Sequence, residues 1–435
     1  MVAKKLFLVA VLVSFGFLSF VAGMAVFELE IWPYAFFRDG YRAAKAWHMR
    51  LMPTDRDASG LYVKGRYTHS GVLRYDRDKA YNGLTLFTST HAQKAYLINM
   101  EGQIVHEWYL PFSQVWENPP HIAWPLSSDF ILWRKAHLYP NGDLLALYIA
   151  SGDTPWGYGL VKMDKDSKMI WKYAEHVHHD IEVGSDGKIY TLINEFVTEK
   201  IPELKQLEPP FLEDSIVVLS PDGQELKRVS IPQAFRNSEF TNVLEKMRRS
   251  KWDPSHANNV EVLDEQMAAQ FPFLKKGQVL ISMRNVDTLA AVDLDEEKVV
   301  WATRGMWMQQ HDPDFLPNGN MLVFDNIGYY GAGKPSRIIE FNPQTMEVVW
   351  QYTGDKENPF FSGAKSAQQR LPNGNTLITE SYQGRTFEIT KNKEIVWEFV
   401  IPFRSARDKE LIAQIHWAQR FHPDDLHFEF SKPNQ

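Results

Sequence analysis

Hydrophobic and polar positions along this chain follow three rhythms. The first is unbroken: from Leu6 to Phe27 no charged residue occurs, and Lys4 and Lys5 stand just before it. At helical rise such a run is long enough to cross a hydrocarbon core, and the preceding positive charge favours an inside N-terminus with the body outside. Gly23 and Ala25 also make a tolerable signal-peptide cleavage site, so residues 1–28 are expected to be a membrane anchor or a signal segment. The second rhythm, from Glu28 to His48, mixes aromatics with Arg and Lys. It fits an amphipathic helix lying at a membrane surface, or a linker helix, within a segment spanning 29–80.

The third rhythm begins at Tyr81 and repeats. A turn with Asn-Gly or Asp-Gly is followed by an alternating β-branched run in LYPNGDLLAL (138–147), GSDGKIYTLI (184–193), FLPNGNMLVF (315–324) and RLPNGNTLIT (370–379). These turns supply positive φ angles, so each copy reads as two antiparallel strands joined by a hairpin. A second element ends in Trp108, Trp171, Trp301, Trp350 and Trp397, while SPDGQELKRV (220–229) is a sixth copy without the Trp. Six such units predict an all-β fold, a six-bladed β-propeller over 81–403, with the tryptophans packed between neighbouring blades. A closed ring is favoured over a solenoid, because no capping repeat is present and closure removes edge strands. An insertion with Pro pairs and helical character, a wall or lid, is expected over about 199–251. Residues 404–435 are expected to hold a C-terminal helix, from apolar Leu411, Ile412, Ile415 and Ala418 ahead of Pro423.

Composition then narrows the chemistry. The net charge of −7 is spread without a basic run, which excludes nucleic acid as a partner. Cysteine is absent, removing disulfides, thiolate metal sites and a Cys nucleophile. Polar residues share one register of the repeat: eight positions before the turn glycine stand Arg134, His179, His311 and Ser366, and His256 stands eight before Asp264. With fourteen histidines in 435 residues, three at one register point to a ligand site at the channel entrance, where several blades meet. The alternative is that the His179-Asp180 and His311-Asp312 pairs merely satisfy local hydrogen bonds. His178 is expected to point away, as a strand neighbour of His179. Neutral imidazole can be a nucleophile, a proton carrier or a zinc ligand. Arg134 and Arg284 disfavour a cation there and favour an oxyanion such as sulfate or phosphate.

The segments HHDIEVGSDG (178–187), SHANNVEVL (255–263), LISMRN (280–285) and QHDPDFLPNGNMLVFDN (310–326) resemble the bacterial arylsulfate sulfotransferase (arylsulfotransferase) family, through the propeller from about Tyr81 to Phe399. The resemblance implies a sulfotransferase that moves a sulfuryl group from an aryl sulfate to a phenol by a ping-pong mechanism, with His311 transiently sulfurylated. It implies that His179, His256, Asn258 and Arg284 bind sulfuryl oxygens or move protons. Arg134, Ser366 and Asp312 are further candidates for the substrate site. No metal and no cofactor are expected, and the propeller is expected on the periplasmic or extracytoplasmic side, anchored by the N-terminal helix or released after cleavage. This chain lacks the cysteines of the disulfide that the resemblance would bring. Its N-terminus reads as an anchor and helix where the family has a dimerising β-domain, which leaves the oligomeric state open. Two rivals stand beside this reading: a quinoprotein-dehydrogenase-like propeller, which needs clustered carboxylates for calcium, and a propeller that binds a ligand or partner without turnover.

Overall fold

The computed structural model describes residues 2–29, 31–34, 36–37, 40, 60–153, 155–248, 252–328 and 335–430. The chain divides into two compact units, residues 1–55 and 56–435. In the first, Val2–Leu29 is one helix. Its stretch Lys4–Val26 is long and apolar enough to cross a membrane, and none of it is buried within the protein. Most of the expected amphipathic segment lies outside the described residues.

The second unit is a ring of six antiparallel sheets. Blade 1 runs from Ile415–Phe421 at the centre through Leu84–Ser89 and Lys94–Ile98 to Ile104–Tyr109. The innermost strands of blades 2 to 6 are Ile131–Leu138, Val177–Val183, Ala257–Val262, His311–Phe315 and Ala367–Arg370. Those of blades 2, 3, 5 and 6 turn directly into their neighbours, because a left-handed glycine closes the hairpin, whereas in blade 4 residues 263–278, with the short helix Glu265–Ala268, intervene. Gly142, Gly187, Gly319 and Gly374 have φ of 89°, 78°, 81° and 85°, and the amide of each bonds back to the carbonyl three residues earlier. The preceding Asn or Asp has negative φ, so the turn is a type I turn ended by a left-handed glycine rather than one with two positive φ angles.

The recurring tryptophans join blades, as the repeat predicts. Trp108 donates to the Gly142 carbonyl of blade 2, Trp171 to Pro221 of blade 3, Trp350 to Lys391 of blade 6 and Trp397 to Met100 of blade 1. Trp301 is the exception, since its ring packs against Phe273 of its own blade. The indole N–H of Trp108, Trp171, Trp350 and Trp397 thus each finds a carbonyl while the rings fill the wedge between sheets.

Three expectations are corrected. The C-terminal segment is not a helix: Leu411–Ala413 pairs with Tyr62–Lys64, and Ile415–Phe421 becomes the central strand of blade 1, pairing Leu84–Ser89. Its apolar positions are buried because the last strand closes the ring against the first hairpin. The propeller also begins before Tyr81, since Gly71–Tyr75 adds a fifth strand to blade 6. Finally, the expected insertion contains Phe211–Leu219 and Glu225–Ser230, the outer strands of blade 3. Its two short helices, Ile231–Arg236 and Asn242–Met247, bury Ile231, Phe235, Leu244 and Met247 in a core shared with Ile281 and Ala290 of blade 4. They form a wedge between blades, not a lid.

Candidate active site

The central strands are irregular where they enter the channel. Their pairing shifts register between Trp133 and Ala136, His178 and Ile181, Ala257 and Asn259, His311 and Asp314, and Ile415 and Trp417. Positive φ angles accompany these bulges at His179 (60°), His256 (47°) and Asp312 (51°), and at Lys365 (61°) and Ser366 (81°) just ahead of the blade 6 strand. A bulge turns side chains away from strict alternation, and non-glycine residues hold such angles only where the surroundings fix them. Polar side chains from all six blades therefore converge. A cavity of about 360 Å³ is lined by Arg134, His179, His256, Arg284, His311, Lys365 and His416, with Leu61, Leu132, Ile149, Ala364 and Trp156 forming an apolar side.

His311 is the most constrained of these groups. Its Nδ1 lies 2.7 Å from Asn326 Oδ1 and 3.1 Å from the Gln309 carbonyl. Asn326 cannot be flipped, because its Nδ2 donates to the Ser362 and Lys365 carbonyls, each at 2.9 Å, and carbonyls only accept. The His311 proton is therefore on Nδ1, and Nε2 keeps its lone pair on the cavity side. Burial, with Arg134 and Arg284 nearby, holds this imidazole well below the usual histidine range, in its neutral form.

His179 has a related arrangement. Its Nδ1 is 2.7 Å from His178 Nδ1, and His178 Nε2 lies 3.2 Å from the buried carboxylate of Asp214. One proton joins the two facing Nδ1 atoms, so the His179 ring is held by His178 and presents its Nε2 edge to the cavity. His178 thus backs its neighbour instead of pointing away, since the left-handed backbone at His179 breaks the alternation. Burial, and then His256, keep His179 far below its ordinary pKa. The His256 ring, 4.8 Å from that of His179 between centroids, donates Nδ1–H to the Asp253 carboxylate.

The remaining predicted residues take more varied places. Arg284 donates to Asn285 and Gln309, and Arg134, brought down to about 10 by burial, donates to the His416 carbonyl. Asn258 donates to the Gln310 carbonyl and has a buried Oδ1 without a partner. It lines, with Ser366 and Asp312, a narrow throat below the cavity. Ser366 Oγ accepts from the Ser381 amide. Asp312 does not reach the cavity: its carboxylate accepts from the Gln368 amide of blade 6, as Asp180 accepts from the Val260 amide of blade 4. The two His-Asp pairs thus divide their work, with the His at the channel and the Asp bracing the next blade. Among the described residues, no group of three or more His, Cys, Asp or Glu side chains is placed to hold a metal ion.

Sequence reasoning missed Asn326, Lys365, His416 and Trp156. Asn326 ends the segment 310–326, and Lys365 stands beside Ser366, so both were within reach of the repeat register. His416 was hidden because ring closure leaves its strand without a turn glycine to count from.

A comparison with curated proteins finds no match. Among solved structures, a Bacteroides caccae protein of unknown function aligns over 78% of this chain and 98% of its own, at 13% identity and a TM-score of 0.47. Virginiamycin B lyase from Staphylococcus aureus aligns over 80% and 89%, at 12% identity and 0.40, and BamB from Moraxella catarrhalis over 75% of each chain, at 10% and 0.31. The profile of the arylsulfotransferase (ASST) family matches residues 135–402, which take in four whole central strands, part of a fifth and most of the cavity wall, and the chain belongs to that family.

Proposed function

We propose that this protein moves a sulfuryl group from an aryl sulfate to a phenolic acceptor in two half-reactions, with His311 as the carrier. The observation that supports this most is the tautomer of His311: Asn326 holds the proton on Nδ1, so a neutral Nε2 lone pair meets the cavity beside two guanidinium groups. Nε2 attacks sulfur in line, the S–O bond to the aryl oxygen breaks, and a sulfuryl group bound to Nε2 remains. Arg134, Arg284 and the Asn258 throat are suited to hold the non-reacting oxygens while charge redistributes across the sulfuryl group. His179 and His256, whose Nδ1 atoms are engaged by His178 and Asp253, turn their Nε2 atoms to the cavity for proton exchange. The apolar side of the cavity suits an aromatic ring.

The anchor belongs to the same proposal. With Lys4 and Lys5 ahead of the apolar helix, the propeller faces the extracytoplasmic side.

Mixing the protein with a chromogenic aryl sulfate, with and without a phenol acceptor, tests the reading. Acceptor-stimulated release of the chromophore, lost in His311→Ala, is expected. Absence of release across a panel of aryl sulfates would leave a ligand-binding propeller as the better account.

A further inference from the structure

We propose that Lys365 carries the proton exchanged with the leaving and the accepting phenolic oxygens, an assignment that rests on the sulfuryl-transfer reading above. Lys365 stands at the cavity in a backbone conformation that side-chain-bearing residues rarely adopt, with φ of 61° followed by 81° at Ser366. Asn326 Nδ2 fixes it through the Lys365 carbonyl, and the same amide orients His311. One side chain thus sets the position of both groups.

The amine is held by two neutral acceptors. Nζ lies 3.1 Å from Gln414 Oε1 and 3.1 Å from His416 Nε2. Gln414 presents its oxygen because its Nε2 donates to the Gly60 carbonyl. His416 presents a lone pair because its Nδ1 lies 3.2 Å from the Trp133 carbonyl, an acceptor. Two N–H bonds are therefore committed, and among the described residues no carboxylate pairs with Nζ. The third position of Nζ, a proton in the ammonium or a lone pair in the amine, is left for the cavity. Both forms keep the same two hydrogen bonds, so gaining or losing that proton requires no rearrangement. Burial, with Arg134 nearby, brings the group down to about 7, where both forms are populated.

The histidines are not equivalent to it. Burial holds His179 neutral, and the Nδ1 proton of His256 is committed to Asp253, whereas the third position of Lys365 Nζ has no partner among the described residues. In the first half-reaction the Nε2–S bond to His311 forms, the S–O bond to the aryl oxygen breaks, and the Lys365 ammonium gives its proton to that oxygen. Phenol leaves and Lys365 is a neutral amine. In the second, the acceptor oxygen bonds to sulfur, its proton passes to Lys365, and the Nε2–S bond breaks to restore neutral His311. Charge and protons balance over the cycle with no further reactant.

The test compares the full-length protein with Lys365→Met and Lys365→Arg, using phenyl sulfate and nitrophenyl sulfate as donors with one common phenol acceptor. A poor leaving group needs the proton far more than a good one. In Lys365→Met, kcat/KM is expected to fall about tenfold with nitrophenyl sulfate and about 10³-fold with phenyl sulfate. Lys365→Arg keeps the charge but cannot release a proton, and is expected to show the same steepened dependence, which covers the case in which the Met variant does not fold. Equal losses with both donors, or no loss in either variant, would overturn the role of Lys365 while leaving sulfuryl transfer intact. Failure of the unmodified protein to transfer from either donor would overturn the underlying reading as well.

Discussion

At the scale of single residues, the site works by fixing which nitrogen carries a proton. His311 has its proton on Nδ1 because Asn326 offers only an oxygen there, and the Asn326 amide is fixed in turn by two backbone carbonyls. Replacing Asn326 with Leu frees the ring to flip or to adopt the other tautomer, and kcat is expected to fall about 10²-fold or more with a smaller change in KM. Steady-state kinetics on an aryl sulfate reads that split, and a pure KM effect would mean that Asn326 only shapes the pocket. The environment of His311 also sets a pH dependence. An ordinary imidazole loses its nucleophilic form below about 6.5, whereas burial beside Arg134 and Arg284 keeps His311 neutral well below that. The donor half-reaction is therefore expected to stay active well below the pH at which an ordinary imidazole becomes protonated. With phenyl sulfate it is expected to decline above about 7, as Lys365 loses its proton. A pH profile of kcat/KM with an acidic limb centred near 6.5 would contradict this. Much of this chemistry was legible in the chain, because the His, Arg and Ser residues recur at a fixed distance from the turn glycine. The tautomers were not, since Asn326, Asp253 and Asp214 lie outside that register and act only through folding.

At the scale of elements, two devices build the molecule. The bulges at the entrance of the central strands turn polar side chains into the channel, and tryptophans of the outer strands bind four of the six blades to the next. The tryptophans were visible as a repeat. The bulges were not, because no residue type marks them, which is why His178 takes a place that simple alternation does not give. Trp108 is fully buried, bonded to the Gly142 carbonyl and packed against His106, whereas Trp350 is partly exposed and covered by Arg370. Trp108→Ala is expected to cost about 3–5 kcal/mol of stability, and Trp350→Ala clearly less. Denaturant unfolding of the two variants checks the order, and equal losses would show that blade contacts are not graded by burial.

At the scale of the whole molecule, the ring depends on its last strand. Ile415–Phe421 pairs with Leu84–Ser89, more than three hundred residues earlier, and also brings His416 to the cavity. Local periodicity cannot reveal so distant a pairing, so the segment looked helical in the sequence. Ending the chain before Ile415 leaves the Leu84–Ser89 edge unpaired and removes the His416 support of Lys365. The truncated protein is expected to lose cooperative thermal unfolding and to associate through the open edge, as calorimetry and size-exclusion chromatography would report. A truncated protein with an unchanged unfolding transition would contradict the role given to closure. Whether His311 carries the sulfuryl group between two phenols is decided by mass spectrometry of the intact protein and its peptides after exposure to an aryl sulfate without acceptor. One added sulfuryl group on the peptide containing His311, discharged by a phenol and missing in His311→Ala, is the predicted result; turnover without such an adduct, or an adduct on another residue, would contradict it.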